Sequence, residues 1–288
     1  MSNTKLFTVF SFIFSLIFLI SLGGLFSFDS VANNESTTEV KEVSVRVVTT
    51  LGEFTIALDN RTPEHGGNFI RRVEQGLYDN AVFQRAIPHF IIQAGDLRHD
   101  STFEDMLLSI ANDSQIPPEI HKDLFHKRGA VSMARLDNPS LFSSEVDFVV
   151  NIGKQHTDLE LERHESRIND QLKFYYWLNL PDNLPILENF RQASKVGTRN
   201  QEAISDITLQ FERDRDKLSD YKPYSIPSSH REIYRTIGGN PFSDRRYTVF
   251  GEVTDGMDVV IAISNVPTRD RDWPIEDIKI LSMKLLQE

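Results

Sequence analysis

The chain has 288 residues, 40% of them hydrophobic and 25% charged, which is enough apolar material for a real core and excludes a disordered protein. Lys and Arg total 31 against 42 Asp and Glu, a formal charge of -11 that offers a phosphate backbone no broad surface and excludes nucleic acid as the expected partner. Cysteine is absent, which excludes disulfides, a thiol nucleophile, cysteine-bound zinc and a lipid-modified cysteine.

Lys5 precedes an almost unbroken apolar run from Leu6 to Phe28, about the ~20 residues a helix needs to cross hydrocarbon. The pattern predicts an exported chain in which residues 1–28 are a signal peptide or a membrane anchor. Ser30-Val31-Ala32 supplies a small-x-Ala cleavage site, yet the run exceeds the roughly 7–15 apolar residues of an ordinary signal core, so both fates stay open. Residues 29–42, rich in Ser, Thr, Asn and Glu, read as a flexible linker.

The folded part is expected over 43–288. Alternation through Val43, Val45 and Val47, then Phe54, Ile56 and Leu58 on either side of Leu51-Gly52-Glu53, predicts a β-hairpin. Thr62 as N-cap and Pro63 at the first helical position start a helix, with Phe69, Ile70 and Val73 on one face and Gly76 closing it. Strands follow over Ala81 to Arg85 and Phe90 to Gln93, joined by a turn at Ile87-Pro88-His89. Further short strands are expected at Ala130 to Arg135, Asp147 to Asn151 and Tyr247 to Val253, then a helix over Met257 to Ser264 and a last strand within Ile275 to Leu286. Between about 154 and 233 the composition turns to Glu, Arg, Lys, Gln and Asp with spaced Leu, Phe and Tyr. This predicts an α-helical insert whose first helix runs from about Thr157 to Leu178 and whose aromatic cluster Phe174 to Trp177 forms its own core.

The stretch from Phe83 to Asp96 carries most of the chemical information. It sets Arg85 and Gln93 among residues otherwise suited to burial, a pattern that points to peptide chemistry. The stretch resembles the central signature of cyclophilin-type peptidyl-prolyl cis-trans isomerases, Phe-x-Arg-x-Ile-Pro-x-Phe-x-x-Gln-x-Gly-Asp. Other segments resemble the family in the same order: Thr50 to Glu53, Asn68-Phe69, Gly76 to Asp79, His126 to Gly129, Ser132 to Arg135, and Val249 to Val253 with Gly256-Met257. Ile116 to Ile120 and Tyr234 to Gly239 are similar to exported bacterial members, which also carry an insertion ahead of the second segment.

The resemblance implies a mainly β fold: a closed eight-stranded antiparallel barrel capped by two helices, here interrupted by the helical insert. It implies an isomerase acting on Xaa-Pro bonds, with proline-containing peptides or unfolded proteins as partners and no cofactor or metal. Arg85 and Gln93 take the catalytic positions, and Phe90, Ile91, Phe148, Val149, Phe242 and Tyr247 the substrate-binding ones. It also implies residence in the cell envelope or periplasm, membrane-anchored through the N-terminal segment or released by cleavage near Ala32. Five positions depart from the family pattern: Val149 stands for the phenylalanine that floors the proline pocket, Asp147 for a glutamine, Phe242 for a tryptophan, Ser243 for a leucine and Tyr247 for a histidine. These departures predict a shallower floor, weakened turnover and poor affinity for cyclosporin-like ligands. An alternative reading therefore stays open, a non-catalytic module with a degenerate pocket that binds peptides or proteins, with the helical insert as a further protein-binding surface. The eight histidines show no His-x-x-x-His or His-Glu-x-x-His spacing, so metal catalysis has no support.

Overall fold

The computed structural model describes residues 43–96, 114–195 and 198–286. The apolar run at 1–28 and the linker at 29–42, with Ala32, lie outside the described residues. Strands β1 (Ser44–Thr49) and β2 (Gly52–Leu58) form the opening hairpin, burying Val45, Val47, Phe54, Ile56 and Leu58 while Arg46 and Glu53 face water. The turn is held by Thr49, whose hydroxyl donates to the Gly52 carbonyl (2.7 Å) and accepts from the Leu51 N–H (3.1 Å).

Helix α1 (Pro63–Glu74) follows, with Pro63 at its first turn as expected. Its end is capped differently from expectation. Thr62 makes no side-chain cap; its hydroxyl donates backwards to the Asp59 carbonyl, and the carboxylate of Glu119 instead accepts the N–H groups of Glu64 (3.1 Å) and His65 (2.9 Å). A carboxylate at that end meets both unpaired donors and the positive end of the helix dipole, so it outcompetes a neutral hydroxyl.

The chain continues through β3 (Val82–Ile87), β4 (Ile91–Asp96), β5 (Ser114–Ile116), β6 (Ala130–Met133), β7 (Ser143–Ser144) and β8 (Phe148–Asn151). Helices α2 (Asp158–Leu178), α3 (Leu184–Ala193), α4 (Gln201–Asp214) and α5 (Ser228–Thr236) intervene before β9 (Val249–Asp255), α6 (Met257–Ser264), β10 (Thr268–Arg269), β11 (Trp273–Pro274) and β12 (Ile280–Leu286). One eight-stranded antiparallel sheet results, in the order β12-β1-β2-β9-β6-β8-β4-β3. Its inner face packs around Phe69, whose ring meets Tyr78, Phe148 and Phe250 at centroid distances of 5.0–5.5 Å; α6 adds Val260 and Ile263 to the same core.

The expected closed barrel is corrected to a curled half-barrel. The edge strands β3 and β12 share no ladder and meet only at a short seam, where Phe83 N–H donates to the Ile278 carbonyl, Asn80 N–H to Ile280 and Ile280 N–H to Ala81. Beyond the seam, β11 and the turn before it lie against β3. Pro274 has no N–H, and Arg271 and Asp272 have left-handed backbones (φ 66°), so this stretch covers the edge without extending the ladder.

Helix α2 opens on a capping box: Glu160 N–H donates to the Thr157 hydroxyl while Thr157 N–H donates to the Glu160 carboxylate. Tyr175, Trp177, Leu178, Leu187, Phe190, Ile207 and Phe211 form a core separate from that of the sheet. Where the chain returns, Gly153 (φ 58°) and Gly239 (φ 148°) oppose each other so closely that a Cβ on Gly153 would lie 2.2 Å from the backbone of Gly239, and one on Gly239 would lie 2.3 Å from the His126 carbonyl. Only glycine permits that approach, which docks the segment before β9 against the end of β8.

Burial lowers the proton affinity of His65, His164 and His230, as the largest influence at each; at His65 the hydrogen bond it donates to Glu119 opposes it. A histidine with a depressed folded pKa binds fewer protons folded than unfolded, so its contribution to stability is present above the unfolded value of 6.5 and is lost as pH falls below it. The melting temperature is therefore expected to hold near neutrality and to fall between about pH 6.5 and 5, with a shallower fall in His65→Gln; thermal melts across that range check it.

Candidate active site

A regular strand would point Phe83 and Arg85 to the same face. Phe83 pairs with Ala94 on the core side, but the register shifts and Arg85 pairs with Gln93, leaving Gln84 as an extra residue. This β-bulge turns Arg85 to the outer face of the sheet. Gln84 is wholly buried, and its amide nitrogen donates to Asp147, a carboxylate that is itself 2% exposed.

Arg85 lies in register with Gln93, Gln93 with Val149, and Val149 with Ser132, so the four share one outer row. The next row holds Ile87, Ile91 and Asn151. Ile91, Ala134 and Val149 pack together there as a small apolar cluster, with Ile87 against them. Of the residues assigned from sequence, Arg85, Gln93, Ile91 and Val149 are thus brought together. Phe90 stands at the turn before β4, 38% exposed, its carbonyl accepting from Ile152 N–H, Gly153 N–H and the Asn240 amide.

Phe148 is corrected: it is fully buried on the inner face, in edge contact with Phe69 and Tyr78, because alternation along β8 sends it opposite to Val149. Gln93 and Arg85 each have an aspartate partner. The Gln93 amide nitrogen donates to Asp147 Oδ1 (3.5 Å), and among the described residues the partner of the Arg85 guanidinium is Asp272, with Nη2 3.3 Å from Oδ2.

Phe242 and Tyr247 lie on the segment between α5 and β9 and are linked through arginines. The Arg246 guanidinium sits 4.3 Å from the Phe242 ring centre and 5.8 Å from that of Tyr247, and Arg135 lies 5.2 Å over the other reach of Tyr247. Arg135 is fully enclosed and donates to the Asn138 carbonyl (2.7 Å). Asn240 joins this segment to the sheet by donating to the Phe90 carbonyl and to Asn151 Oδ1 (both 2.9 Å).

Beneath them lies Asp244, 2% exposed. Its carboxylate accepts from the backbone N–H and Nδ1–H of His126 (3.0 Å each), from Tyr234 (2.8 and 2.9 Å) and from Tyr224 (3.3 Å). Burial first, and then the charge of Asp244, pushes both phenols up, so they remain protonated donors. One carboxylate thereby ties the loop leading into β6, the last part of the insert and the Phe242 segment.

A second histidine constellation has the connectivity of a hydrolytic triad. His65 Nδ1 lies 2.6 Å from Glu119 and its Nε2 3.1 Å from the Ser143 hydroxyl. Ser143 and His65 are completely buried, so no substrate carbonyl reaches the hydroxyl; the trio fastens α1 to β7. Among the described residues no group of three or more His, Asp or Glu side chains is arranged to hold a metal ion.

The family model for cyclophilin type peptidyl-prolyl cis-trans isomerase/CLD matches residues 44–166 and 225–285. The chain belongs to the cyclophilin family. The stretch outside the match, 167–224, holds most of α2 and all of α3 and α4. A peptidyl-prolyl cis-trans isomerase of Acinetobacter baylyi is 25% identical over 246 residues, covering 84% of this cyclophilin-family chain and 84% of its own length. The peptidyl-prolyl isomerase cwc27 of Rhizopus delemar is 34% identical over 119 residues, 38% of this chain and 21% of its own. A crystal structure of a Cryptosporidium parvum cyclophilin type isomerase covers 86% of this chain at 16% identity and a TM-score of 0.47.

Asp147, Asp244 and Asp272 were not assigned site roles from sequence. Asp147 stood out only as a departure from the family pattern; Asp272 is 187 residues from Arg85 and carries no local signal. Asp244→Ala strips the acceptor from two buried side chains, His126 and Tyr234, and from the half-buried Tyr224, and is expected to cost about 3 kcal/mol or more, as for other broken buried networks. Urea unfolding of the variant against the parent reads this directly.

Proposed function

We propose that the chain is a peptidyl-prolyl cis-trans isomerase whose Arg85 stabilises the twisted prolyl amide. An Xaa-Pro bond turns slowly because amide resonance raises a barrier of ~18–20 kcal/mol, although the two planar states differ by only ~0.5–1 kcal/mol. Catalysis requires no bond breaking. At the twisted midpoint the prolyl nitrogen loses conjugation and exposes a lone pair, so a fixed cationic donor aimed at it favours that state over either planar one.

The observation that carries this reading is the bulge-directed Arg85 beside Gln93, above the apolar group of Ile87, Ile91, Ala134 and Val149. Arginine suits the role because it is permanently charged and presents several N–H donors in one plane. Among the described residues its Nε–H is buried without a hydrogen-bond partner. Val149 makes a smaller floor than a phenylalanine, which supports modest turnover and weak binding of cyclosporin-like ligands. The proposed clients are proline-containing segments of incompletely folded exported proteins, in line with the apolar run from Leu6 to Phe28. No helix among the described residues is long and apolar enough to cross a membrane.

The alternative, a binding module without turnover, is favoured by two observations: the Arg85 guanidinium is already engaged by Asp272, and Val149 is small. Exchange of cis and trans Xaa-Pro peptides separates the two. The parent protein is expected to exceed buffer, and Arg85→Ala to lower kcat/KM by about 100-fold, the usual loss when one transition-state donor is removed. A parent no faster than buffer, with peptides still retained by equilibrium binding, leaves the binding module.

A further inference from the structure

We propose that Asp272 is the positioning residue for Arg85: it holds the guanidinium in the orientation that the reaction uses. This rests on the isomerase reading above. Arginine is long and flexible, and a donor acts on a transition state only when it is aimed. The neighbour of Arg85 in register, Gln93, directs its amide nitrogen to Asp147. Asp272 reaches Arg85 from the opposite side, Oδ2 to Nη2 at 3.3 Å.

The placement of Asp272 is built into the fold. Arg271 and Asp272 are successive residues at φ 66°, a conformation that side chains other than glycine, asparagine and aspartate rarely adopt. They are held there by the two-residue ladder of β10 with β11, by Ile275 N–H donating to the Pro267 carbonyl, and by Trp273, which is 6% exposed with Arg269 over its ring at 5.6 Å. The turn so formed packs against β3, the strand that carries Arg85. The contact pins Nη2, and among the described residues the buried Nε–H of Arg85 has no partner.

A carboxylate so close also reduces the cationic field of Arg85, and the relative size of the two effects decides the sign. The side chains of Arg85 and Asp272 are 29% and 44% exposed, so solvent screens the charge cancellation. Misplacing a catalytic group by ~1 Å, by contrast, costs up to about 100-fold. Aiming therefore outweighs neutralisation, and losing Asp272 slows the reaction.

The test uses Asp272→Asn in the full chain, because asparagine accepts the left-handed backbone while replacing the charged acceptor by a neutral amide that holds the guanidinium less strongly. Expected are a kcat lower by about 10-fold with KM changed less than about 2-fold, and no further loss when the substitution is added to Arg85→Ala, as a double-mutant cycle requires of coupled groups. An unchanged or raised kcat, or losses that add in full, overturns the proposal. Nitrogen relaxation at the Arg85 Nε–H gives a readout independent of turnover: greater side-chain motion in Asp272→Asn supports positioning, and unaltered motion overturns it. A parent protein that fails to exceed buffer removes the isomerase reading, and the relaxation comparison still judges whether Asp272 holds Arg85.

Discussion

A single surplus residue governs where the chemistry sits. Side chains alternate along a strand, so the apolar positions of β3 that feed the core would carry Arg85 inward with Phe83. The bulge at Gln84 breaks that parity between Phe83 and Arg85, and pairing resumes one residue out of step with the core-facing set. A buried glutamine at such a place needs a partner, and Asp147 from the far side of β4 provides it while also receiving the Gln93 amide. The position at which this chain departs from the family's usual glutamine is therefore part of what keeps its arginine on the outer surface.

The helical insert is fastened to this surface rather than fused with it. It carries its own aromatic core, and its joints to the rest of the fold include Phe125 stacked on His230 at 3.7 Å, the opposed glycines Gly153 and Gly239, the Asp244 carboxylate shared by Tyr224, Tyr234 and His126, and Asp137 and Ser140 hydrogen-bonded to Tyr175 and Arg191. The Asp244 joint lies directly under the segment bearing Phe242 and Tyr247. The same segment also reaches the sheet beside β4, where Asn240 donates to the Phe90 carbonyl and to Asn151 Oδ1.

Much of this was legible in the residues. Alternation placed the hairpin and the strands to within a few positions, and the helix over Met257 to Ser264 was read with its true ends, because in each case the local period and the burial pattern agree. Thr62 misled as a cap, since the competing carboxylate of Glu119 comes from 55 residues beyond Glu64, whose N–H it takes. Phe148 was misassigned because adjacent positions on a strand face opposite ways and a one-residue ambiguity in alignment is enough to exchange them. Barrel closure was overestimated for a related reason: pairing between the first and last edges depends on the path of residues 267–278, whose left-handed backbones no hydrophobic period announces. The aspartates of the site were hidden because a lone acidic residue on a loop looks solvated until the chain brings its partner beside it.

The short stretch from Asp270 to Pro274 has a second role besides reaching toward Arg85. It shields the flank of β3, whose backbone groups would otherwise stand open to recruit a strand from another molecule. Loosening that strap would therefore invite self-association at the same moment as it frees the arginine. Solubility and activity would constrain the same five positions together, and few substitutions there would satisfy both.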